Sequence, residues 1–127
     1  MGTLVAYGPD VVGIQGEVKK YSTEEHVVGE WIDGSPIYEK TISCGALPNA
    51  TTKNTPHEIS NLKELISLDG VSMSNTTFIN LPHTNAINIS NCVEVYATLT
   101  NIVIRSSADV TAYIKTYITL RYTKTTT

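Results

Sequence analysis

The side chains able to do chemistry here are three histidines, two cysteines and a scatter of carboxylates, and their spacing argues against catalysis. His26, His57 and His83 stand far apart and share no metal-ligand spacing. A lone histidine in a strand or loop serves more often as a satisfied structural group, so neither a metal nor a cofactor is expected. Glu24, Glu25, Glu30, Asp33 and Glu39 cluster around one predicted hairpin, where two carboxylates facing each other would resemble a glycosidase pair. The plainer expectation is solvated strand edges, with Asp33 consumed by the turn. No Gly-x-Ser-x-Gly elbow and no glycine-rich phosphate loop occurs. Cys44 and Cys92 read as small buried apolar side chains, although the sequence alone does not decide whether they pair. The expectation is a protein that binds and does not catalyse.

Binding a glycan requires aromatic faces for the C–H side of a sugar and amides or carboxylates for its hydroxyls. Trp31 and Tyr38 flank the hairpin turn and are candidate stacking rings, with Tyr96, Tyr113 and Tyr117 elsewhere. The plainer expectation for Trp31 is core or subunit interface. The polar loops add Asn75, Thr76, Asn80, His83, Asn85, Asn88 and Asp109, residues that are also good turn formers. The candidate ligand-binding residues are Trp31, Tyr38, Asn75, Asn80, His83, Asn85 and Asp109.

The elements that must position these groups are strands. In 127 residues threonine, serine, asparagine and β-branched side chains abound, and alanine, glutamate and lysine are too sparse for a helical protein. Trp31–Tyr38 places Asp33-Gly34 between β-forming runs, which predicts a tight primed hairpin turn. Pro36 lacks an N–H and suits an edge hairpin. Gly45–Pro56 reads as a loop, and Asn61–Lys63 as a single helical turn capped by Ser60 before a strand to about Met73. Phe78–Leu81, Val93–Thr98 and Ile102–Ser106 read as short strands. Thr111–Lys124 fits helical and strand spacing alike, and the stiffness of its threonines and isoleucines favours strand. Seven or eight short strands predict an all-β antiparallel sandwich, jelly-roll-like. The net charge of -3 without a basic stripe argues against nucleic acid. No apolar run is long enough for a membrane span, and no secretory leader is expected.

Tyr21-Ser22-Thr23-Glu24-Glu25 followed by Trp31-Ile32-Asp33-Gly34-x-Pro36-Ile37-Tyr38 is similar to the start of C-terminal domains of phage tail fibres and related virion adhesins. Gly45-Ala46-Leu47-Pro48-Asn49, His57-x-Ile59-Ser60-Asn61 and the ending Tyr117–Thr126 extend the resemblance across residues 21–127. Residues 1–20 lie outside it and read as a lead-in segment or linker. The resemblance implies a homotrimeric fibre-tip domain of the virion, made in bacterial cytoplasm, whose partners are itself, other virion proteins and a host-surface glycan. It implies no enzyme and assigns no binding residue. Tyr113 and Tyr117, expected to face outward beside Lys115 and Arg121, are then candidate subunit contacts, because aromatic residues and arginine are enriched at interfaces. The rival is a head-fibre, capsid-decoration or baseplate scaffold without receptor binding.

Overall fold

A computed structural model describes residues 20–84 and 92–125. Asn85, Asn88 and the lead-in residues 1–19 lie outside the described part. The predicted hairpin is present as β1 (His26–Glu30) and β2 (Pro36–Ser43), but its turn is wider than the expected two-residue primed one. The Trp31 N–H donates to Ser35 O at 2.8 Å and the Gly34 N–H to Trp31 O at 2.9 Å, so Ile32 and Asp33 occupy the centre. Gly34 follows them at φ 88°, the left-handed position that closes a three-residue hairpin loop. Asp33 Oδ1 accepts the Ser35 N–H at 2.9 Å, which consumes its carboxylate in the turn. A bulge at Val28 separates the Val27↔Tyr38 and Gly29↔Ile37 pairs, so β1 leaves strict alternation.

Among the described residues the chain is all-β and has no helix, and eight strands form two antiparallel sheets. The remaining strands are β3 (Thr52–Pro56), β4 (Leu62–Met73), β5 (Phe78–Leu81), β6 (Val93–Ala97), β7 (Asn101–Ser106) and β8 (Lys115–Lys124). The larger sheet runs β1-β2-β8-β4-β5, which makes the hairpin its edge, as Pro36 suggested. The smaller sheet runs β3-β7-β6. In β8, the centre of the larger sheet, Ile118, Leu120 and Tyr122 are fully buried on one face. Burying side chains of this size stabilises by about 1.5–3 kcal/mol each. They share one core with Ile42 of β2 and with Ile102, Ile104 and Val93 of the smaller sheet.

Three local expectations are corrected. Thr52–Pro56 lies in the predicted loop yet forms β3, because its backbone pairs with β7 from Thr52↔Arg105 to Pro56↔Asn101. No helical turn precedes β4: Asn61 takes φ 59°, outside the helical region, and its carbonyl accepts the Thr125 N–H at 2.8 Å. The first residues of Thr111–Lys124 form a turn, and the strand starts at Lys115. Cys44 is buried and Cys92 half-buried, and the two form no disulfide with each other. Gly70 of β4 is required by proximity, since an added Cβ would lie 2.8 Å from Tyr117 O and would strike Ile118 Cδ1 of β8.

His57 joins the two layers. Its ring is 1% exposed, with Nε2 2.9 Å from Thr98 O and the Ile59 N–H donating to Nδ1 at 3.1 Å. A carbonyl can only accept, so the proton sits on Nε2 and Nδ1 is the acceptor. Its own carbonyl accepts Lys40 Nζ of β2 at 2.7 Å. The side chain therefore holds the turn between β6 and β7 while the backbone holds the larger sheet, a structural use of the histidine.

A candidate ligand groove on the outer face of the larger sheet

Residues opposite each other in register share a face, so β8 orders the outer surface in rows. Asp69, Thr119 and Thr41 form one row, and Val71, Tyr117 and Ser43 the next. Ser67, Arg121 and Glu39 form a third row on the other side of the first. Asn80 of β5 pairs with Val71 and brings its amide to the same side. The segment before β1 supplies a wall, pinned by the Thr41 N–H donating to Ser22 O at 2.9 Å. Together these elements enclose an open groove of about 630 Å³ lined by Tyr21, Thr23, Asp69, Asn80, Tyr117 and Thr119, among others.

The groove is lined mostly by apolar surface, with a bonded pair of hydroxyls in its floor. Thr41 Oγ1 and Thr119 Oγ1 are hydrogen-bonded at 2.9 Å across β2 and β8. Tyr117 is half-buried, while Tyr21 is 60% exposed at the rim, so the groove offers aromatic surface as well as hydroxyls. Beside it Arg121 donates from Nε to Glu39 Oε2 at 2.7 Å, and from Nη1 to Ser67 Oγ at 3.2 Å and Asp69 Oδ2 at 3.4 Å. Glu39 was expected to be a solvated edge carboxylate, but its side chain is 0% exposed. The reason is the position of β2 between β1 and β8, with His26 Nε2 3.5 Å from the other Glu39 oxygen. Arg121 is thus occupied within the sheet, whatever it contributes to subunit contact.

Of the predicted ligand residues that are described, only Asn80 lines the groove. Tyr38 lies on the opposite face, stacked on Tyr122 with ring centroids 6.0 Å apart and with Lys124 Nζ 5.2 Å from its centroid. Trp31 is half-buried in the hairpin loop, and Asn75 is exposed at the tip of the turn between β4 and β5. His83 pairs with Val93 through two backbone bonds of 2.9 Å, which links the end of β5 to β6. Asp109 Oδ1 accepts the Thr111 N–H at 3.0 Å and its hydroxyl at 2.7 Å, bonds that hold its carboxyl below the usual range. Tyr113, expected outside, packs against the core instead, because it precedes β8 and its carbonyl accepts the Leu47 N–H. Tyr117 does lie on the outer face, as the alternation of β8 indicated.

Asp69, Thr41, Thr119 and Tyr21 are groove residues that sequence reasoning missed. Asp69 carries a local signal, a lone acid inside an apolar run, but only strand register brings it to Thr119 and Tyr117. Among the described residues, no cluster of three or more histidines, cysteines or carboxylates is placed to hold a metal ion. No helix is long and apolar enough to cross a membrane among the described residues. Comparison with protein-family models, curated proteins and solved structures finds no match for this chain.

Across the sheet a separate polar cluster ties the segment before β1 to β8. Glu25 accepts Tyr122 Oη at 2.6 Å and Lys124 Nζ at 2.7 Å. Burial alone would raise the Glu25 carboxyl, but these two hydrogen bonds and the lysine charges outweigh it and hold it below the usual glutamate range. A carboxylate lowered by folding stabilises above its unfolded pKa, and that stability disappears as pH falls through the lower folded value. The Glu25→Gln variant is therefore expected to be less stable than the parent at pH 7 by at most about 1 kcal/mol, given partial solvent screening. The difference should shrink below about pH 4, which urea melts across pH 3–7 would measure.

Proposed function

We propose that this chain is a phage virion domain, a jelly-roll-like β-sandwich at a fibre tip that binds a host-surface glycan as a homotrimer. The observation that carries the binding role is the groove, in which the rings of Tyr117 and Tyr21 stand beside the Asp69 carboxylate, the Asn80 amide and the Thr41–Thr119 hydroxyls. That mixture suits a sugar, which has an apolar C–H face and a rim of hydroxyls. The resemblance of residues 21–127 to tail-fibre domains supports the virion setting and the trimer. Several identical shallow sites would then act together, with effective concentration compensating for weak single-site affinity.

A scaffold role in a head fibre, capsid decoration or baseplate is the second reading. Ile32 at 90%, Phe78 at 73% and Leu99 at 70% exposure favour it, since they offer apolar contacts to other virion proteins. Binding of the purified protein to host cells, with and without periodate oxidation of the surface glycans, separates the two. The glycan reading expects binding that periodate abolishes and that Tyr117→Ala weakens about tenfold through lost ring contact. No binding to host cells would leave the scaffold, and binding that survives periodate and is indifferent to Tyr117→Ala would overturn the glycan reading. Light scattering tests the trimer directly.

A further inference from the structure

Resting on that glycan-binding reading, we infer that the groove selects a neutral sugar bearing adjacent hydroxyls and disfavours uronic, sialic and phosphate-bearing sugars. The argument is the charge at the groove wall. Asp69 is the acidic side chain that lines it, and its side chain is 66% exposed, so its carboxylate faces an incoming ligand. The neighbouring cation, Arg121, is shared between Asp69 and Glu39, and the Glu39 contact is the shorter at 2.7 Å against 3.4 Å. Of these three groups only Asp69 lines the groove, so the charge it presents to a ligand is negative. No lysine or arginine lines the groove among the described residues.

A carboxylate accepts hydrogen bonds on both oxygens, so Asp69 can take the O–H groups of two neighbouring ring carbons. The Arg121 contact restrains that carboxylate while leaving it exposed. Thr41 and Thr119 can donate or accept, and Tyr117 takes the C–H face of the same ring. An acidic sugar presents a second negative charge within a few ångströms of Asp69, and like charges that close repel even through water. Arg121 is a positioning residue here, acting through Asp69.

The test is amide chemical-shift titration of the isotope-labelled full chain with methyl mannoside, methyl galactoside and methyl glucoside. Parallel titrations use glucuronate, galacturonate and N-acetylneuraminate at matched ionic strength, each to about 100 mM, a range that detects the weakest single-site sugar affinities. We expect at least one neutral glycoside to shift the amides of Asp69, Tyr117 and Thr119 with an affinity at least about tenfold above that of every acid. Asp69→Asn, which keeps the shape and removes the charge, should weaken neutral binding and bring the two classes within about threefold. Acids that bind these amides as well as neutral sugars would overturn the inference and leave the glycan reading standing. If no sugar of either class shifts them, the glycan reading itself falls.

Discussion

Replacing Arg121 by methionine is expected to lower stability by about 3–5 kcal/mol, the cost of leaving a buried carboxylate without its cation. Glu39 is the reason: its side chain is 0% exposed, and Arg121 Nε holds Oε2 at 2.7 Å. Asp69 contributes little to this loss, because its side chain is 66% exposed and screened by water. The double variant Arg121→Met with Glu39→Gln should recover much of the loss, since removing both charges leaves no uncompensated ion. Urea unfolding of the two single variants and the double variant measures the coupling. A double variant no more stable than Arg121→Met would show that the effect is lost packing of the arginine stem and not charge.

A change of His57 to alanine is expected to cost about 3 kcal/mol, or a fall in melting temperature on the order of 10 °C or more. The ring fills a site that is 1% exposed, and its removal deprives Thr98 O and the Ile59 N–H of their partners. Cavity and unsatisfied polar groups therefore add. The bond from Lys40 Nζ to the His57 carbonyl belongs to the backbone and survives, so the larger sheet should keep its structure while the turn between β6 and β7 loosens. Hydrogen exchange at Thr98–Asn101 reads this directly. Unchanged protection and a small stability loss would show that the ring only fills space.

The elements read well from sequence where side-chain stiffness or turn chemistry decided between local patterns. The stiffness of Thr116, Ile118 and Thr119 correctly marked β8 as strand against an equally good helical spacing, and Asp33-Gly34 correctly located the hairpin. The turn type failed because Gly34 sits after the two central residues and not among them. β3 was missed because Thr52-Lys53-Asn54-Thr55-Pro56 contains no apolar alternation to detect. Its partner β7 brings the apolar residues, Ile102, Val103 and Ile104, and β3 is a strand only because β7 lies beside it.

The groove shows the same division more sharply. Composition and alternation determined by themselves that the chain is all-β, that it folds as short antiparallel strands, and that β8 has a buried face of Ile118, Leu120 and Tyr122. They also placed Tyr117 on the opposite face, because side chains alternate along a strand whatever its neighbours. Only the tertiary structure decided which residues Tyr117 meets there. Thr41 and Thr119 touch across 78 positions of sequence, and Arg121 reaches Glu39 across 82. Such contacts follow from strand order and register, which depend on how two whole sheets bury their apolar faces together. No local pattern carries that information, and so Asp69 and Glu39, similar acids in sequence, became an exposed groove wall and a buried ion partner.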